Sequence, residues 1–248
     1  MQPEYLARLP LDISALVEEI EQASGVEITV EVDPARVRNI PEHPDIMACA
    51  FSPRAARLLI PAPDYFPDGS VLHELLHIRR FLVEGIPCLV DCDAYEGWRP
   101  SIAAGLTRLD NSIEHLIIVP EELQLRPDRR AYWERVMMRL WDELASDRFN
   151  QLDRRQLALV NWAFIEHVLP GSAVQSYSRV VLAKFDLTDR ARRCYDELIP
   201  SLSDKESAVK VCFRHLGLPL EMASFEYVDT HTGTRREVPL DRLQMGLS

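Results

Sequence analysis

The segment SVLHELLHIRRF, residues 70–81, restricts the fold of this chain more than any other feature. Its apolar residues recur at intervals of three and four, which predicts an amphipathic helix from about Ser70 to Val83. An Asp-Gly-Ser sequence precedes the helix as a start signal, and Gly85 and Pro87 follow it as stop signals. Three strongly polar residues lie in the middle of this helix, so the fold has to supply them with partners.

These polar residues are His73, Glu74 and His77, and their spacing suits a metal site. Side chains four apart share one helix face, about 6 Å apart at Cβ, so His73 and His77 can offer two nitrogens to one tetrahedral ion. Glu74 is rotated by about 100°, beside the ion, where it can take a proton from an attacking water and pass it to a leaving amine. The alternative is a buried pair of core histidines, although Glu74 then lacks a reason to be buried.

A helix and three strand-like segments precede the central helix. Residues 11–24 show helical spacing and end at Gly25. The segments VEITVEV (26–32), DIMACAF (45–51) and ARLLIPA (56–62) are typical of short strands. We expect ARLLIPA to form the edge strand, along which an extended peptide could bind by strand addition.

The rest of the chain is predicted to be mainly helical. After an irregular stretch at 88–100, a helix begins near Ser101 and is expected to stop at Pro120. Further helices are predicted at about 127–149, 153–168, 172–185, 188–199 and 204–216. The last begins with a Ser-Asp-Lys-Glu capping box at 203–206, and a hairpin turning at Thr232-Gly233 follows. The predicted domains are 1–125 and 126–248.

The strands, the HELLH helix and a following helix with acidic residues together resemble the zincin metallopeptidases. The resemblance is to the gluzincin arrangement, because metzincins would need Gly at Arg80 and His at Val83. The pattern from Asn111 to Pro120 is similar to that of the bacterial ImmA/IrrE-type peptidases. This resemblance covers about residues 25–122. It implies an α+β fold, with a small zincin-like sheet and an active-site helix beside a mainly helical C-terminal half.

The resemblance also implies a third ligand for Zn²⁺ on the downstream helix, where RLDNSIEH offers Asp110, Glu114 and His115. Glu114 is the first candidate because its long side chain can reach across from a second helix, and Asp110 could then hydrogen-bond a liganding imidazole. Asp110 could instead be the direct ligand. His115 could complete a three-histidine site, or supply a proton or hydrogen bond to the developing oxyanion. A plain solvated helix face is the remaining alternative.

Composition narrows the choice of partners. The net charge of −11, from 28 basic and 39 acidic residues, argues against nucleic acid. No signal peptide and no apolar run of membrane-spanning length is present, so we expect a cytoplasmic protein that does not bind membranes. The five scattered cysteines are expected to be free thiols.

The function predicted from the sequence is therefore a zinc-dependent peptidase that hydrolyses peptide or protein substrates. His73, His77 and Glu114 would bind the metal, Glu74 would be the general base, and His115 could assist catalysis. Tyr95, Tyr132 and Tyr177 are candidates for a hydroxyl that polarises the carbonyl. One rival is a zinc-stabilised regulatory or interaction protein without turnover, and another is a metal-free helical scaffold.

Overall fold

The protein has an α+β fold in a computed structural model that describes residues 1–35, 47–146 and 148–242, apart from the side chain of residue 152. The described α-helices are α1 (Pro3–Leu6), α2 (Leu11–Ser24), α3 (Asp68–Leu82), α4 (Pro100–Leu125), α5 (Arg129–Ala145), α6 (Gln151–Val168), α7 (Ala173–Lys184), α8 (Thr188–Ser201) and α9 (Lys205–Leu216). The described strands are β1 (Ile28–Val32), β2 (Ala48–Ser52), β3 (Ala55–Ile60), β4 (Cys88–Asp91), β5 (Ala223–Asp229) and β6 (Thr234–Pro239).

The chain divides into two compact units. The first contains Met1–Cys88 and Glu226–Glu237, and the second contains Leu89–Phe225 and Val238–Ser248. The division predicted at residue 125 differs from this boundary. All of α4 belongs to the second unit, because it packs there against α6 and α9.

A three-stranded sheet in the order β1-β3-β2 forms the base of the first unit. β1 pairs with β3 in parallel from Ile28↔Ala56 to Val32↔Ile60, and β2 pairs with β3 antiparallel from Ala48↔Leu59 to Ser52↔Ala55. Strand β3 is therefore central, and the expectation that ARLLIPA forms the edge is wrong. Its alternating apolar side chains Ala56, Leu58 and Ile60 are fully buried, as a central strand requires. Part of the predicted segment 45–51 lies outside the described residues.

Helix α3 packs on this sheet and is buried on every side. The predicted helix at 70–83 is confirmed within two residues, but it is not a surface helix with one apolar stripe, because every residue from Gly69 to Ile78 is buried. Phe81 stacks on Phe51 of β2 with ring centroids 4.8 Å apart. Helix α2 also packs against α3, and Gly25 ends α2 in the left-handed conformation at φ 68°, as predicted.

Helix α4 continues through Pro120, where the sequence predicted its end. Proline lacks the N–H that would bond the carbonyl four residues earlier, and this costs about 3 kcal/mol inside a helix. Val119 and Glu122 are nevertheless fully buried on either side of Pro120, and the helix runs on to Leu125. Tertiary packing therefore outweighs the local signal.

The second sheet has the strand order β4-β5-β6, and the boundary between the two units passes through these strands. Strand β4 lies in the stretch that was predicted to be irregular. The hairpin at Thr232-Gly233 is confirmed: Gly233 has φ 69°, and Asp229 Oδ1 accepts hydrogen bonds from the amides of His231 and Thr232. Among the described residues, no helix is both long enough and apolar enough to cross a membrane.

Candidate functional site

The two histidines of the HELLH sequence lie side by side in the middle of α3. His73 is 7% exposed and His77 is 5% exposed. Their ring centroids are 4.9 Å apart and the rings are nearly perpendicular, at 84°. His77 also lies parallel to the ring of Phe81, at 6.3 Å between centroids. The helix therefore presents two imidazoles on one buried face, as the spacing of four residues predicts.

Glu74 contacts the thiol of Cys49 in strand β2. Alternation along a strand points Cys49 and Phe51 to the same face of the sheet. Phe51 stacks on Phe81 of α3, and Glu74 lies two helical turns before Phe81. Burial raises the pKa of Cys49 well above its usual value, and the negative charge of Glu74 and its hydrogen bond raise that pKa further. The thiol therefore keeps its proton and donates it in a hydrogen bond to the Glu74 carboxylate.

In the second unit, Asp110 and Glu114 of α4 share the buried ammonium of Lys205. The Nζ atom of Lys205 lies 2.6 Å from Glu114 Oε1 and 2.7 Å from Asp110 Oδ1. Lys205 is the first residue of α9, where the Asp204 side chain caps the helix by accepting from the amides of Glu206 and Ser207. The cap is thus Asp204 and not the Ser203 of the predicted capping box.

Burial and charge act in opposite directions on this cluster. Burial raises the pKa of Asp110, against the effect of the neighbouring ammonium of Lys205. Burial would also lower the pKa of Lys205, but the charges of Asp110 and Glu114 outweigh it and raise that pKa. The ammonium of Lys205 therefore stays charged and lies against one oxygen of each carboxylate. The sequence predicted that Glu114 binds the metal and that Asp110 hydrogen-bonds a liganding imidazole. In both roles the carboxylate would have to exchange the ammonium of Lys205 for another partner or share it.

His115 follows Glu114 in the sequence, and its ring packs against an aromatic side chain of α5. Its half-buried ring meets the edge of Trp133 of α5, with centroids 5.0 Å apart at 67°. The indole nitrogen of Trp133 donates to Glu122 Oε2 at 3.2 Å, and Arg129 pairs with Glu122 Oε1 at 2.6 Å. Glu122 is fully buried. This chain of contacts fixes the indole against which His115 rests.

Tyr132 and Tyr177, two of the tyrosines predicted as candidates for a carbonyl-polarising hydroxyl, both contact residues of the second unit. Tyr132 is buried on α5, with the Arg129 guanidinium 4.0 Å from the centre of its ring. Burial and then a hydrogen bond to Asp142 raise the pKa of Tyr177. The hydroxyl of Tyr177 is therefore already engaged within the second unit.

Sequence reasoning missed Cys49, Trp133 and Lys205 as neighbours of the candidate residues. The alternation of Cys49 with Phe51 in β2 was a usable signal, because both had to face the same neighbour. Trp133 gave no signal, because it lies on a different helix from His115. Lys205 gave no signal, because it is 91 residues from Glu114 and follows an ordinary helix cap.

The chain matches no protein-family model, no curated protein and no solved structure at a significant level.

Proposed function

We propose that this protein is a zinc-dependent peptidase with a zincin-like fold, in which His73, His77 and His115 bind the metal. One observation carries the proposal: His73 and His77 lie side by side on one buried face of α3, with ring centroids 4.9 Å apart, where both can reach one ion. The alternative third ligand, Glu114, is less suited because Lys205 already neutralises it.

The chemistry of the donor set fits zinc. Three neutral imidazoles with one further position open to water or substrate are a known catalytic zinc arrangement. When bound, a zinc ion supplies Lewis acidity toward a carbonyl oxygen and toward water. Imidazoles bind zinc in their neutral form, and His73 and His77 offer two of them on one buried face of α3.

Glu74 performs the proton transfers in this proposal. It lies next to His73 in sequence but on a different part of the helix circumference, so it is free of a ligand role. Its carboxylate takes a proton from the water that attacks the scissile carbonyl. As the carbon–nitrogen bond breaks, Glu74 delivers that proton to the leaving amine. The hydrogen bond from the Cys49 thiol holds the carboxylate in place for both transfers.

Strand β2 is the natural place for an extended peptide substrate. It is one of the two outer strands of the β1-β3-β2 sheet among the described strands, and it is the one that carries Cys49. The carbonyl of Phe51 accepts a hydrogen bond from Arg235 at 3.0 Å, so this carbonyl points away from β3. By alternation the backbone carbonyl of Cys49 points the same way, while its side chain contacts Glu74. A peptide that pairs with β2 at Cys49 would therefore run close to the general base, and Arg235 limits the pairing at Phe51.

Metal analysis of the purified protein, loaded with zinc and then dialysed, tests the ligand set. We expect about one zinc ion per chain in the wild type. His73→Ala, His77→Ala and His115→Ala should each lose most of the metal, because removal of one of three ligands weakens binding strongly. Mass spectrometry of the metal content under identical dialysis gives the comparison.

Two variants serve as controls for the metal analysis. His167→Ala removes an exposed histidine of α6 and should keep its zinc. Glu114→Gln should also keep its zinc if Lys205 is its partner. Loss of zinc from Glu114→Gln with retention in His115→Ala would instead assign the third ligand to Glu114. Equal and negligible zinc in all variants and in the wild type would contradict the metal proposal.

The Cys49 thiol is expected to affect turnover without affecting metal binding. Cys49→Ala removes the donor to Glu74, and loss of a group that orients a functional side chain typically costs about 10-fold to 100-fold in activity. We expect kcat to fall by about that factor, with zinc content unchanged.

Cys49→Ser provides the matched comparison for the thiol, because its hydroxyl is also a donor. It should recover most of the kcat lost in Cys49→Ala. If serine and alanine reduce kcat equally, the thiol contributes packing and not a hydrogen bond to the base.

A further inference from the structure

A cavity of about 500 Å³ lies in the second unit, between the start of α6 and the start of α8. Three arginines line it: Arg155 from α6, and Arg190 and Arg193 from α8. A cavity of this size is within the usual range for small-molecule sites. All of these residues belong to one compact unit and none belongs to the proposed peptidase site.

The three arginines lack carboxylate partners within the described part of the chain. Two arginines elsewhere in the second unit are paired, Arg179 with Glu166 and Arg130 with Glu134. Arg155 donates through Nη2 to the carbonyl of Leu216 at 2.8 Å, and its Nε is buried without a hydrogen-bond partner. In a chain with 39 acidic and 28 basic residues, three unpaired arginines around one cavity are not a consequence of composition.

The guanidinium groups also repel one another. Burial lowers the pKa of Arg155, and the positive charge of Arg190 lowers it further. Among the described residues, no carboxylate forms an ion pair with these arginines that would offset the repulsion. The first turn of α8 adds backbone N–H groups, because its cap residue, Leu187, has no side-chain acceptor for them. An anionic ligand would satisfy both the arginines and these amides.

Two aspartates in the lining restrict the identity of that ligand. Asp186, which has a positive φ of 55°, and Asp189 both face the cavity and are exposed. Their carboxylates would repel a bare polyanion but would accept hydrogen bonds from hydroxyl groups. Among the described lining residues, Leu187 is the one apolar side chain, and none is an aromatic ring on which a nucleobase could stack.

We propose that this cavity binds a small phosphorylated polyhydroxy compound of the sugar-phosphate class. The phosphate lies among Arg155, Arg190 and Arg193, where bidentate guanidinium contacts are available. The hydroxyl groups of the same ligand donate to Asp186 and Asp189. The site is independent of the proposed peptidase activity.

Calorimetric titration of the full-length protein tests this assignment, with glucose 6-phosphate as the probe. Inorganic phosphate and glucose are the comparison ligands. We expect glucose 6-phosphate to bind at least about ten times more tightly than inorganic phosphate, because only the sugar phosphate can use both the arginines and the aspartates. Glucose alone should not bind measurably.

Matched arginine variants locate the binding. Arg190→Gln should weaken binding of glucose 6-phosphate by about tenfold or more, because a charged hydrogen bond to phosphate is lost. Arg192→Gln changes an exposed arginine of the same helix that does not line the cavity, and it should bind like the wild type. Equal weakening in both variants, equal affinity for inorganic phosphate, or no binding of glucose 6-phosphate would each overturn the proposal.

Discussion

Glu74→Gln should abolish peptide hydrolysis while leaving the bound zinc in place. Glutamine has nearly the same shape as glutamate but cannot take a proton from water, and the loss of a general acid–base group costs about 10²-fold to 10⁴-fold in rate. Glu74 is not among the proposed ligands, so the affinity for zinc should not change. The measurement is the cleavage rate of a quenched fluorescent peptide library, together with the zinc content of the same protein sample.

The matched control for this variant is Glu84→Gln. Glu84 follows the same helix and pairs with Arg79 and Arg80 in a partly exposed position. Its replacement should leave the cleavage rate within about twofold, because exposed ion pairs contribute little. Persistent cleavage by Glu74→Gln would contradict the mechanism. A wild-type protein that holds zinc but cleaves no peptide would favour the non-catalytic alternative.

The sequence predicted the helices well because their signals are local. The repeat of apolar residues and the glycine at position 25 placed α2 without error, and α3 was placed within two residues. These signals depend on neighbours within a few positions of one another. The pairing of His73 with His77 could be predicted for the same reason, since it needs only the helical repeat.

Features that depend on distant parts of the chain were not predictable. Whether β3 lies at the edge or the centre of its sheet depends on β1, which is remote in sequence and pairs in parallel. The passage of α4 through Pro120 depends on packing against α6 and α9. In both cases tertiary contacts override the local propensity.

The proposed third ligand of the metal shows the same limitation. Asp110, Glu114 and His115 were all identified from the sequence, but the choice among them depended on Lys205. The ammonium of Lys205, from another helix, pairs with two of these candidates, Asp110 and Glu114, in a buried ion cluster. His115 is not one of the anions of this cluster, which is why we propose it as the third ligand.

Lys205→Met should destabilise the protein by about 3–5 kcal/mol, because it leaves two buried carboxylates without their cation. Lys205 is 5% exposed, and Glu114 is fully buried. Methionine keeps the length and the apolar contacts of the lysine side chain, so the decrease in the free energy of unfolding measures the effect of removing the charge. Chemical denaturation gives the free energy of unfolding, and the corresponding fall in Tm is on the order of 10 °C.

Lys210→Met is the matched control, since Lys210 lies on the same helix and pairs with Glu206 at a partly exposed position. That pair should contribute less than about 1 kcal/mol. Adding Asp110→Asn and Glu114→Gln to Lys205→Met removes the uncompensated charges, so this triple variant should regain more than half of the lost stability. Equal losses for Lys205→Met and Lys210→Met, or no recovery in the triple variant, would show that the buried cluster contributes nothing specific. Recovery would instead establish that Lys205 is present to neutralise Asp110 and Glu114, and it would strengthen the assignment of the third imidazole to His115.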